Sequence, residues 1–162
     1  MSQPESESFR TLRSVFVYGT LMPGERNAWV AEGAGAPERC ESATLAGYAL
    51  YDLRPEGYPA LSTGTQTVRG WVLHYGAGVW PAALRHLDDL EGLHLTPPLY
   101  TRQLAEAVTA GGPQPVWVYL YARAARLAQP GCEAVTSGDW TTTGERMTDT
   151  GWPGEDDASH LP

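Results

Sequence analysis

The sequence predicts an α+β domain in which strands outnumber helices. With 18 Gly and 13 Pro in 162 residues, the chain is interrupted too often for long helices. Short β-branched and aromatic runs recur at Val15–Tyr18, Thr67–Tyr75 and Val116–Tyr121. Helical spacing is confined to two short stretches, Glu25–Glu32 and Pro81–Glu91. The combination favours a mixed layer architecture over a bundle, and the length suffices for one compact domain with its own core. Because 6 Trp and 8 Tyr stand against 2 Phe, that core is to be filled by rings with a polar edge.

In chain order, residues 1–13 read as a loosely held arm, 14–140 as the domain and 141–162 as a polar tail rich in Thr, Gly, Asp and Glu. Val15-Phe16-Val17-Tyr18 is a buried strand that breaks at Gly19, and Pro23-Gly24 marks a second turn. A glycine at a strand end lets a ligand approach the backbone closely. The N–H groups of Gly19, Thr20 and Leu21 can there converge on a carboxylate. Glu25–Glu32 is expected to be a short helix resting on Trp29 and Val30.

Cys40–Leu53 reads as two strand segments bent at Gly47. Gly57-Tyr58-Pro59-Ala60-Leu61 turns into another extended piece, and Thr67–Tyr75 is the clearest central strand. The helix Pro81–Glu91 has Pro in its first turn and Gly92 as a left-handed stop. After the loop Leu93–Pro98, Leu99–Val108 is extended, with Tyr100, Arg102, Leu104, Glu106 and Val108 on one face. Gly111-Gly112-Pro113 turns into Val116–Tyr121, too apolar for an exposed edge. Gly138-Asp139-Trp140 closes the ordered region, and no internal repeat is present.

Composition excludes several function classes. Acidic residues outnumber basic ones 19 to 11, for a net charge of −8, and no basic stripe offsets that field, so nucleic acid is an unfavourable partner. No apolar run is long enough to span a bilayer, and the polar N-terminus is not a secretory signal. Cys40 and Cys132 have no metal-type or disulfide spacing and read as free thiols or small buried hydrophobes, which places the chain in a reducing cytoplasm. The four His residues form no His-x-x-x-His pair, so a His-based metal site is not expected, and no Ser stands in a Gly-x-Ser-x-Gly elbow.

One carboxyl group stands out. Leu84, Leu87, Asp88 and Glu91 share a helical face, and Glu91 is the last residue before the Gly92 stop. Burial among leucines, the negative end of the helix dipole and the neighbouring Asp88 and Asp89 all disfavour a charge there. Its pKa is therefore expected to rise, as a carboxyl acting as base and then acid near neutrality requires. Asp88 and Asp89 themselves point about a quarter-turn apart and read as helix solvation.

Taken together, the pieces resemble the gamma-glutamylcyclotransferase-like family. The resemblance runs through Tyr18-Gly19-Thr20-Leu21, Gly57-Tyr58-Pro59-Ala60, Gly70-Trp71-Val72, Leu87-Asp88-Asp89-Leu90-Glu91-Gly92, Tyr100-Thr101-Arg102 and Trp117-Val118-Tyr119. It implies a small mixed β-barrel with short flanking helices. It also implies an enzyme that releases 5-oxoproline and a free amine from a small gamma-glutamyl amide or peptide, without a cofactor. By the same resemblance Glu91 is the catalytic acid/base, and Tyr18, Gly19, Thr20, Leu21 and Tyr100 hold the substrate. The loop Leu93–Leu99 is of a variable type, which leaves the leaving amine open, and the oligomeric state is open as well. The alternative is a non-catalytic module of the same fold that binds a small amino-acid-like ligand.

Overall fold

The computed structural model describes residues 12–19, 21–22 and 32–140. The expected helix at Glu25–Glu32 falls, but for Glu32, outside the described residues, as do Thr20, the arm up to residue 11 and the 141–162 tail. Strands β1 (Ser14–Val17), β2 (Arg39–Leu53) and β3 (Tyr58–His74) are followed by helix α1 (Trp80–Leu90). Then come β4 (Tyr100–Thr109), β5 (Gly112–Tyr121), a 3-10 helix (Ala124–Ala128) and β6 (Cys132–Ala134).

Strand order β3-β1-β5-β4-β2 closes on itself through the β2–β3 pairing, and β6 adds to β2. The result is a five-stranded barrel. It is mixed, because β1 runs parallel to β5 and antiparallel to β3. The seam between β4 and β2 is a single bridge, Thr44↔Val108. β1 lies between two strands, which explains its uninterrupted apolar sequence: Val15, Phe16 and Val17 are all buried. Glycine permits the closure beside it, since a Cβ at Gly70 would stand 2.3 Å from the Val17 carbonyl oxygen and 2.6 Å from the Phe16 ring.

Two segments differ from the sequence reading in extent. The bend at Gly47 is a register irregularity within one continuous strand β2, with Gly47 at φ 93°. Gly57 keeps its turn, at φ 80°, and the extended piece after it and the strand at Thr67 are one strand β3 of 17 residues. The long β2–β3 pairing overrides the local breakers Pro59, Gly64 and Gly70, which each find a place along it.

Helix α1 begins one residue earlier than expected, with Pro81 in its first turn, and Glu91 is its C-cap. Gly92 follows at φ 73°, the left-handed conformation that ends a helix. The buried positions are Trp80, Ala83, Leu87 and Leu90, while Leu84 is only half-buried. The apolar stripe is thus rotated from the expected Leu84–Leu87 line, drawn by Trp80, whose ring packs on Tyr75 at 5.8 Å. At the far end of the domain, Gly138 adopts φ 73° and accepts the Arg69 N–H at 2.7 Å, and Trp140 is wholly buried.

Candidate active site

The site is built where the end of β1, the C-terminus of α1 and the facing strands β4 and β5 meet. The register Tyr100↔Tyr121 and Arg102↔Tyr119 places four large side chains on one face of the β4–β5 pair. Asp88 ties α1 to that face: its Oδ1 accepts the Tyr119 hydroxyl at 2.7 Å and Arg102 Nε at 3.1 Å. Arg102 in turn lies over the Trp117 ring, 4.9 Å from its centre.

The turn after β1 is fixed from two sides. The Tyr18 hydroxyl donates to the Tyr119 carbonyl oxygen at 2.6 Å. A Cβ at Gly19 would fall 2.4 Å from Pro59 Cγ, so only glycine lets this backbone rest on the proline ring. The Met22 N–H closes the turn onto the Gly19 oxygen at 3.0 Å. Among the described residues nothing accepts from the N–H groups of Gly19 or Leu21. On the other side of Pro59, its carbonyl oxygen accepts the Tyr100 hydroxyl. Tyr100 also meets the Tyr121 ring edge-on at 5.3 Å and lies 6.4 Å from the Tyr58 ring.

Glu91 sits within this ring of contacts, 9% exposed. None of the described residues hydrogen-bonds its carboxyl group. Burial and then the Asp88 charge push its pKa up to about 8. Asp89, expected to contribute, acts on Asp88 instead. The Glu91 charge is felt by Tyr18, Tyr100 and Tyr119, whose phenols burial drives well above their ordinary range. The four groups therefore share one poorly solvated space. A carboxyl group pushed up to about 8 and electrostatically coupled to Tyr18 at the end of β1 has the protonation range that taking and returning a proton near neutrality requires.

A family model, "Gamma-glutamyl cyclotransferase, AIG2-like", matches residues 15–142. The chain belongs to this family. The match spans the barrel from the second residue of β1, both sides of the Glu91 site and Trp140. The family's reach is seen in a Vibrio cholerae protein named "Putative gamma-glutamylcyclotransferase", 37% identical over 126 residues, or 78% of this chain and 93% of that one. Two solved structures share the fold. An AIG2-like protein of Mus musculus aligns over 78% of this chain and 89% of its own, with TM-score 0.59 and 24% identity. The protein ytfP of Escherichia coli aligns over 82% and 99%, with TM-score 0.54 and 27% identity.

Of the residues singled out from this family member's sequence, Glu91, Tyr18, Gly19 and Tyr100 are joined by the contacts above, and Leu21 is buried in the turn after Gly19. Thr20 lies outside the described residues. Sequence reasoning gave Arg102 and Tyr119 no role. It used Asp88 as a like charge beside Glu91, which holds, but missed that Asp88 docks the helix. Asp88 is not helix solvation; it is half-buried and holds α1 to the barrel. Its spacing of one helical turn from Glu91 was the available signal, but its partners lie 14 and 31 residues away. Cys40 is exposed and Cys132 half-buried, and both are free, so the buried-hydrophobe reading fails for Cys40. Among the described residues no cluster of His, Cys, Asp or Glu is suited to a metal ion, and no helix is long and apolar enough to cross a membrane.

Proposed function

We propose that this protein is a gamma-glutamylcyclotransferase that converts a gamma-glutamyl amide or peptide into 5-oxoproline and a free amine. The observation that carries the reading is Glu91: a buried carboxyl group without a described counter-charge, titrating near pH 8 and electrostatically coupled to the Tyr18–Gly19 turn. A purely structural carboxylate in that position costs stability and gives nothing back.

In the proposed reaction the substrate's alpha-amine attacks its own gamma-carbonyl carbon. The new C–N bond closes a five-membered lactam, and the bond to the leaving nitrogen breaks. An alpha-amine has a pKa of about 8, so at neutral pH it arrives mostly protonated. Glu91 titrates at about the same value. Only the ionised fraction of Glu91 accepts that proton; transfer to it is nearly balanced, so turnover by this route rises as pH approaches 8. The same carboxyl group next delivers that proton to the departing nitrogen, and the second proton lost by the attacking nitrogen follows the same route, so the leaving amine departs protonated. Nucleophile and electrophile belong to one molecule, so the protein's main task is to fold it into a near-attack shape.

The N–H groups of Gly19 and Leu21, with Thr20 between them in the chain, receive the substrate carboxylate. Tyr18 and Tyr100 act as walls, because their hydroxyls are engaged with the carbonyls of Tyr119 and Pro59. The balance of the reaction requires no cofactor. Two free thiols, one of them exposed, suit a reducing compartment and support a cytoplasmic site of action.

The test is 5-oxoproline release from a panel of gamma-glutamyl amines and dipeptides, with Glu91→Gln alongside. Release is expected from at least one member, falling about 10²–10⁴-fold in the variant while binding persists. Ligand binding without release from wild type would move the reading to a non-catalytic module. A fully active Glu91→Gln would remove Glu91 from the mechanism.

A further inference from the structure

A second cluster stands at the start of β1, about 13 Å along the strand from Tyr18. Cross-strand pairing sets Ser14 of β1 opposite His74 of β3, and His74 opposite Arg39 of β2. Ser14 Oγ lies 2.8 Å from His74 Nδ1, and His74 Nε2 lies 2.7 Å from Glu41 Oε2. Glu41 Oε2 also accepts from Arg39 Nη1 at 2.9 Å and from Gln114 Nε2 at 3.3 Å.

With His74 neutral, the chain of bonds has a defined direction. Three donors on one oxygen keep the Glu41 carboxyl ionised, holding its pKa below the usual value, with the His74 bond first among the causes. A carboxylate only accepts, so the hydrogen lies on His74 Nε2. In the neutral imidazole Nδ1 is then a bare lone pair, and the bond to Ser14 is donated by the hydroxyl. The arrangement is a hydroxyl polarised by a base that is itself oriented by a carboxylate, the constellation by which serine nucleophiles are recognised independently of fold.

The cluster opens onto a cavity of about 420 Å³ that Ser14 and His74 both line. Leu12 and Pro115 give it apolar walls, and Arg13, Arg39 and Glu38 bring charge of both signs to it. Leu12 and Arg13 are held in place from the barrel: the Trp117 indole N–H donates to the Leu12 oxygen, and Arg13 Nε donates to the Tyr75 oxygen. Nothing in the cyclotransferase reading uses these residues.

We infer that Ser14, His74 and Glu41 form a second reactive site, an acyl-accepting serine centre for small carboxylic esters. Ser14 Oγ attacks the ester carbonyl carbon, and its proton passes to His74 Nδ1. Arg13, which lines the same cavity, supplies charge to the oxyanion that forms. The bond to the ester oxygen breaks, and the leaving alcohol takes the proton from Nδ1. Water then attacks the acyl-serine, giving one proton to Nδ1, which returns it to Ser14 as the acid departs. Ester and water are the only reactants.

The test exposes the full chain to a fluorophosphonate, which forms an O–P bond to an activated serine with loss of fluoride, and maps the adduct by mass spectrometry. The expected adduct is on Ser14, and release of nitrophenolate from p-nitrophenyl acetate is expected to vanish in Ser14→Ala. Labelling should slow at least about tenfold in His74→Gln and in Glu41→Gln. It should proceed unchanged in Glu91→Gln, so that this site and the cyclotransferase site fail or stand separately. Mapping on the wild-type chain is independent of how any variant folds. No adduct, an adduct on another serine, or an unchanged rate in His74→Gln would overturn the assignment.

Discussion

Glu91 and Glu41 are the same side chain at opposite ends of the barrel, and they hold their protons in opposite ways. Glu41 has three donors on one oxygen and is held below its ordinary value. Glu91 has none among the described residues and is pushed up to about 8. Asp88 falls between them: two donors reach it, yet partial burial still raises it. The series shows that donor supply, set against burial, decides the protonation of a carboxyl group in this fold. The barrel gives both ends similar scaffolding, so the difference lies in which side chains the pairing register brings to each.

The largest expected effect is the loss of 5-oxoproline release in Glu91→Gln, about 10²–10⁴-fold. A smaller effect separates the two glutamates by stability. Glu91 has a raised folded-state pKa, so its share of stability is complete below 4.5 and is lost as pH rises to about 8. At about 1.4 kcal/mol per unit, that loss amounts to a few kcal/mol. Thermal melts of wild type should therefore fall between pH 5 and 8, and Glu91→Gln should flatten the fall. A lowered Glu41 has the opposite sign: its contribution is present above 4.5 and lost as pH drops through the folded value.

Next in size is Asp88→Asn. It removes the like charge while keeping an acceptor for Tyr119 and Arg102, and should move the midpoint of the pH–rate profile below 8. The shift should stay under about one unit, because burial outranks Asp88 as the cause. Smallest is Glu41→Gln, which breaks exposed and half-exposed pairs and should cost less than about 1 kcal/mol in a denaturant melt near neutral pH.

These residues also show what a sequence can and cannot disclose here. The burial that leads the Glu91 shift comes with Tyr18, Tyr100 and Tyr119 from elsewhere in the chain. Part of the pressure on Glu91 is local: Asp88 lies one helical turn before it at the same helix end, so the direction of its shift was legible there. The strands were legible for the same reason, through alternation and glycine breaks. Closure of the barrel was not, since it depends on long pairings such as Ser42↔Trp71 and on the single bridge Thr44↔Val108. Asp88 looked solvated because Tyr119 and Arg102 reach it only after β4, β5 and α1 have docked. Ser14, His74 and Glu41 carry no motif, because three strands assemble them from separations of 60 and 33 residues.

The central claim is that one glutamate is held protonated near neutrality while another in the same barrel is not. Carboxyl ¹³C NMR titration of glutamate-labelled protein, with Glu91→Gln and Glu41→Gln to assign the two resonances, reads both directly. The expected result is a Glu91 midpoint near 8 and a Glu41 midpoint below 4.5. Two ordinary midpoints near 4.5 would contradict the claim and leave the proposed acid/base without its reason to be at that position.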